Sequence, residues 1–95
     1  MRVLGIDPSL RSTGFGVIEC VGNSYVPVVY GIIKPSPKLP FPDRLNEIRT
    51  ELERIMERFG PEEAAIENAF FAQNVRTALS LGQVRGAILV ALASR

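Results

Sequence analysis

The sequence predicts an α/β fold built on a mixed sheet, and three observations predict it. Three β-rich segments lie close together in the first third of the chain, with a glycine turn between the second and third. A proline-studded connector then leads into one amphipathic helix. A short apolar segment follows that helix. Reaching it through a helix implies a crossover, so it should run parallel to a neighbour in the sheet.

The elements follow in order. Val3 to Ile6 is a short apolar run, readable as a buried strand, and Asp7-Pro8 stops it. Thr13 to Cys20 reads as the second strand, with Gly14 and Gly16 on one face, where another backbone or a ligand can come close. Val21-Gly22-Asn23-Ser24 makes the turn into a third strand, Tyr25 to Ile33. Pro27 cannot donate to a ladder, so this strand should lie at a sheet edge. Pro35, Pro37, Pro40 and Pro42 stiffen the connector. The helix runs from about Pro42 to Phe59. Leu45, Ile48, Leu52, Ile55 and Phe59 form its dry stripe, and Glu47, Arg49, Glu51, Arg54 and Arg58 its wet side. Gly60-Pro61 ends it. Glu63 to Glu67 is the fourth strand. Asn74 is an N-cap candidate for a last helix, Val75 to the end, carrying Leu79, Val84, Ile88 and Leu92, with Gly82 and Gly86 four apart. Those two glycines would allow close helix–helix approach, within the chain or with a second copy.

Composition narrows the chemistry. The chain has 95 residues, 46% of them hydrophobic and 22% charged, and a net charge of +1, an ordinary single-domain balance. That charge argues neither for nor against a polyanionic partner. Cys20 is the only cysteine and histidine is absent, so a disulfide framework, a thiolate zinc cluster and imidazole catalysis are excluded within this sequence. The longest apolar run, Ala87 to Ala93, is far short of the roughly 20 residues a membrane span needs. A cytoplasmic protein with no membrane role is the expectation. The chain stops at Arg95 in an apolar stretch without a glycine or proline, and the sheet would be thin. The expectation is therefore a single domain over residues 1–95 that is incomplete at its C-terminal end.

Asp7 and Glu67 share one context. Each ends a short apolar strand expected in the sheet centre. If those strands are adjacent and parallel, both carboxylates emerge at the C-terminal edge, where sites in α/β sheets collect. Two carboxylates held close either raise a pKa or hold a cation. Oxygen ligands alone suit Mg²⁺, with Mn²⁺ as a substitute. In a two-metal site, ions about 4 Å apart activate a water and stabilise the leaving oxygen of a phosphodiester. Asp7 before Pro8 also suits a plain turn, and Glu67 also suits a solvated strand end. It is the pair that favours a site.

The surrounding residues carry two readings each. Phe70 and Phe71 are adjacent, so in extended chain one ring can enter the core while the other stays exposed to stack on bases, or both can pack in a loop. Arg76 lies in the first helical turn, where the macrodipole disfavours a cation unless a phosphate binds there. An ordinary solvated arginine is also tolerated. Arg11 and Arg85 are further basic candidates. "GIDPSLRSTGFG" could also be the hairpin that cradles nucleotide phosphates in an actin-like ATP-binding fragment.

"GIDPSLRSTGFGVI", "RLNEIRTELERIMERFGPE" and "AAIENAFFAQNVRTALSLGQVRGAI", in this order and spacing from Met1 to Arg95, resemble the bacterial crossover-junction endodeoxyribonuclease family RuvC, the Holliday junction resolvases. The resemblance implies a ribonuclease H-like fold. It also implies a homodimeric, Mg²⁺-dependent endonuclease that nicks four-way DNA junctions symmetrically in recombination and repair, prefers T-rich sites and works with RuvA and RuvB. Asp7 and Glu67 match the family's first two catalytic metal-binding acids. Phe70 matches its inserted aromatic, with Asn74, Arg76 and Arg11 as DNA-binding candidates. The last helix matches the dimer helix, which would give Gly82 and Gly86 their role. Ser9 departs from the family's usual glycine and Gln73 from a lysine seen in some relatives. The further acids and basic residues of the family's C-terminal segment have no counterpart here, so the 95 residues alone are expected to be inactive. A non-catalytic junction- or nucleic-acid-binding module is the alternative of another class.

Overall fold

The structure is a computed structural model and describes residues 1–9, 11–67 and 74–95. Its elements are β1 (Arg2–Asp7), β2 (Thr13–Val21), β3 (Ser24–Ile33), α1 (Phe41–Phe59), β4 (Glu63–Ile66) and α2 (Val75–Ala93). The strands form one sheet in the order β3-β2-β1-β4. β1 pairs antiparallel with β2 and parallel with β4, so the expected crossover through α1 is present. The fold is the ribonuclease H-like α/β arrangement anticipated from the sequence.

β3 lies at an edge, as Pro27 required. The ladder also breaks beside that proline. Val17 pairs with Val29 but Ile18 pairs with Pro27, leaving Val28 as the extra residue of a bulge. The β2–β3 turn places Gly22 at φ +58, a conformation cheap only for glycine.

α1 begins at Phe41, one residue before the expected start, with Pro42 in its first turn, where a missing N–H costs nothing. It ends on Gly60 at φ 57, whose N–H donates to the Met56 carbonyl at 2.9 Å. Arg2 of β1 donates from Nη1 to the Phe59 carbonyl at 2.9 Å, tying the start of β1 to the end of α1. Glu19 takes ion pairs from Arg2 and from the Met1 amine. Its hydrogen bonds to that amine and to Arg2 hold its carboxyl below the usual glutamate range.

The core lies on one face of the sheet. Leu4, Ile6 and Val17 meet Ile48, Leu52 and Met56 of α1 and Val84, Ile88 and Ala91 of α2. Met56, one turn after Leu52, belongs to this core although the dry stripe read from the sequence omitted it. Leu79, read along the last helix with Val84, Ile88 and Leu92, is 66% exposed. α2 is apolar around its circumference, so its sequence period does not single out a buried face. By length and composition α2 is also apolar enough to cross a membrane, although Val84, Ile88 and Ala91 are buried in this fold.

The opposite face of the sheet carries Val3, Gly5, Asp7, Gly14, Gly16, Tyr30, Ile32, Glu63, Ala65 and Glu67, by strand alternation and register. No described helix covers it, and Tyr30 stands 84% exposed. β4, expected to be central, is the other edge of the sheet, and Glu63, Ala64 and Ala65 are exposed.

Leu52 is fully buried at the centre of the helix–sheet contact. Leu52→Ala is expected to destabilise the protein by about 2–5 kcal/mol. Urea unfolding checks this, and a loss under about 1 kcal/mol would mean that α1 is not packed as described.

Candidate metal and phosphodiester site

The register of the two central pairings builds the site. β1 and β4 run parallel with Ile6 opposite Ile66, and the Glu67 N–H donates to the Ile6 carbonyl at 2.9 Å. Paired residues of parallel strands share a face, so the next positions, Asp7 and Glu67, emerge side by side on the uncovered face at the C-terminal strand edge. Both are exposed. The expectation that these two carboxylates meet is met in this geometry.

The Glu67 carboxyl is pushed above the usual glutamate range, first by a hydrogen bond with Asp7, then by the Asp7 negative charge and by loss of water. A hydrogen bond between two carboxyls requires one of them to keep its proton and donate. The pair therefore resists carrying two negative charges. A divalent cation held by both carboxylates would offset that charge. The donor set contains only hard oxygens, which suits Mg²⁺ or Mn²⁺ rather than a soft metal. Among the described residues no group of three or more metal-ligating side chains occurs, and Asp7 and Glu67 stand as a pair.

The floor of the site is bare backbone. A depression of about 550 Å³ runs over Gly5, Gly14, Gly16, Asp7, Ala65 and Glu67. Gly14 pairs with Asp7, and a Cβ there would sit 3.7 Å from the Asp7 Cβ, an ordinary contact. Gly5 pairs with Gly16. The glycine face read from β2 therefore continues into β1 and leaves the floor low beside the carboxylates.

The remaining candidates are distributed around this edge. Asn74 caps α2, its Oδ1 accepting from the Thr77 N–H at 2.9 Å. Arg76 is exposed in the first turn of α2, which holds no acidic residue. Arg11 lines a second depression, of about 530 Å³, together with Lys34 and Arg44. Sequence reasoning missed those last two. Lys34 directly follows the end of β3, at the edge shared with Asp7, and that position was the available signal. Phe70, Phe71 and Gln73 lie outside the described residues. Among the described residues, a Cβ on Gly82 or Gly86 would meet nothing within 4 Å. Val75, Leu79, Leu89 and Val90 of the same helix are exposed apolar residues.

A mixed sheet with one-sided helices and paired carboxylates on adjacent parallel strand ends defines the class, a ribonuclease H-like protein with an acidic site. Comparison with known proteins narrows it. The family described as "Crossover junction endodeoxyribonuclease RuvC" matches residues 3–95. The chain belongs to the RuvC family. It is 43% identical over 95 residues to the protein of that name from Thermotoga petrophila, covering all of this chain and 58% of the relative. It is 47% identical over 91 residues to that from Geobacter sulfurreducens, covering 96% of this chain and 56% of the relative. The chain thus spans little more than half the length of these curated relatives. Among solved structures, Thermus thermophilus RuvC in complex with a Holliday junction substrate superposes with a TM-score of 0.90 at 32% identity, over 99% of this chain and 60% of that one. A Ppx/GppA phosphatase from Aquifex aeolicus superposes with a TM-score of 0.63 at 14% identity, over 98% of this chain and 33% of that one, which shows a shared fold alone.

Replacing Asp7 by asparagine removes the negative charge beside Glu67. In Asp7→Asn the Glu67 pKa is expected to fall back toward the ordinary glutamate range, read by carboxyl ¹³C NMR titration. A Glu67 titration that does not move would mean that the two carboxyls are not neighbours.

Proposed function

We propose that this chain forms the catalytic face of a Holliday junction resolvase, a Mg²⁺-dependent endonuclease that nicks four-way DNA junctions in recombination and repair. The observation that carries the reading is the adjacency of Asp7 and Glu67 at the strand edge, with Glu67 pushed toward its protonated form by Asp7. The family match and the junction-bound relative from Thermus thermophilus support it. Cytoplasmic DNA is the substrate that this reading assigns.

Each residue has a part. Asp7 and Glu67 would hold a divalent cation through their carboxylate oxygens once Glu67 is deprotonated. The chemistry such a cation would supply there is polarisation of the scissile phosphate, a lowered pKa for an attacking water and offset of charge at the leaving oxygen. The glycine floor leaves room for the DNA backbone to approach the carboxylates. Arg76 and the N-terminus of α2 attract a phosphate, and Asn74 fixes the direction of that helix start. Phe70 disturbs base stacking at the crossover. Two such sites in a homodimer, formed across the exposed apolar face of α2 at Gly82 and Gly86, would cut the junction symmetrically. RuvA and RuvB are the partners that family membership suggests.

A synthetic four-way junction tests the reading. Because the chain spans 58% of the Thermotoga petrophila relative, it is grafted onto the remainder of that protein. The grafted protein is expected to nick the junction with Mg²⁺, whereas the 95 residues alone are not. Asp7→Asn and Glu67→Gln are each expected to cut the nicking rate roughly a hundredfold or more, since loss of even an outer-shell partner costs about 10- to 100-fold. Junction binding should survive both changes. Undiminished nicking by Asp7→Asn would remove the catalytic reading and leave the binding module.

A further inference from the structure

We infer that the depression lined by Arg11, Lys34 and Arg44 is a second DNA-backbone site, which anchors a phosphate of the strand being cut a few nucleotides from the scissile one. This deepens the proposed function and rests on it.

The depression is built from four parts of the fold. Arg11 comes from the β1–β2 loop, Lys34 and Pro35 from the connector, Phe41 and Arg44 from the start of α1, and Ser80 from α2. Its volume of about 530 Å³ is in the range of ligand sites. Three cationic side chains line it, with no carboxylate among the described lining residues. Lys34 and Arg11 are exposed and Arg44 is half-buried, its guanidinium 5.9 Å from the centre of the Phe41 ring. Pro35, next to Lys34 in the connector, is buried. A positively charged, partly walled hollow of this kind takes a phosphate and the sugar attached to it.

Its position links it to the carboxylates. Gly14 pairs with Asp7 on one side and Ile32 on the other, and Thr13 pairs with Ile33. Lys34 therefore leaves the sheet at the same edge as Asp7, two strands away, or about 10 Å. α1 also begins at this edge, because its other end is held by Arg2 at the start of β1. One strand of nucleic acid rises about 3.4 Å per nucleotide. A strand laid along this edge with one phosphate at Asp7 and Glu67 thus brings a phosphate a few nucleotides on to Lys34.

The two sites have opposite charge, and that gives the second its purpose. Asp7 and Glu67 repel a phosphodiester until a cation is present. A cationic hollow beside them holds the backbone regardless of the cation and fixes the register of the scissile phosphate, since backbone contacts position DNA without reading its sequence. Lys34 and Arg44 act here as positioning residues.

The test is the salt dependence of binding to a fluorescent four-way junction, measured for the protein, Lys34→Gln, Lys34→Arg and Lys38→Gln. Lys38 lies in the same connector, is exposed and does not line the hollow. Each phosphate contact adds about 0.9 to the slope of log K against log salt. Lys34→Gln is expected to bind more weakly and to lower that slope by about 0.9, while Lys34→Arg and Lys38→Gln keep it. Arg44→Gln should act as Lys34→Gln does, but Lys34 is the cleaner probe because it is exposed. An unchanged slope in Lys34→Gln, or an equal drop in Lys38→Gln, overturns the second site while leaving the resolvase reading intact. A protein that does not bind the junction at all takes down both.

Discussion

The site depends on the parallel pairing of β1 with β4. The hydrogen bond from the Glu67 N–H to the Ile6 carbonyl closes that ladder just where both strands end. A slip of one residue would send Glu67 to the core face with Leu4 and Ile6, because side chains alternate along a strand. The register is held by what lies behind it. Leu4 and Ile6 are buried under the helices, and Arg2 bonds the end of α1 at the far edge. α1 is thus both the crossover that makes the pairing parallel and the lid over the core that keeps it in register.

With all described helices on one face, the other face is left to the site. Glycines on β1 and β2 keep that face low beside the carboxylates, and cations gather next to them at the same edge. The carboxylates and the cations line separate hollows. In the proposed reading, separation is what lets the carboxylates take a cation while the cations take the backbone.

Much of the fold was legible because the signals were local. Gly60 at a helix end, Asn74 at a helix start, Gly22 in a turn and Pro27 on an edge strand each act through their own backbone geometry. The crossover through α1 fixed the direction of β4. What failed to show was whatever depends on partners distant in sequence. Leu79 and Val84 look alike in a helix apolar all round, and only the packing against α1 decides which is buried. β4 read as central because Ala64, Ala65 and Ile66 are apolar, yet they form an edge. For the site, a carboxylate at each strand end was visible, whereas Lys34 and Arg44 drew no notice. Their meaning comes from the turn of the connector that sets them beside Arg11.

The central claim is that Asp7 and Glu67 form one cation-binding unit. The most direct measurement is a Mg²⁺ titration of the protein followed by the carboxyl ¹³C signals of both residues. The account predicts that both signals move with a single dissociation constant and that Glu67 then titrates at lower pH, because a bound cation offsets the Asp7 charge that raises it. Signals that stay fixed, or that move with different constants while Glu67 keeps its raised pKa, would contradict it.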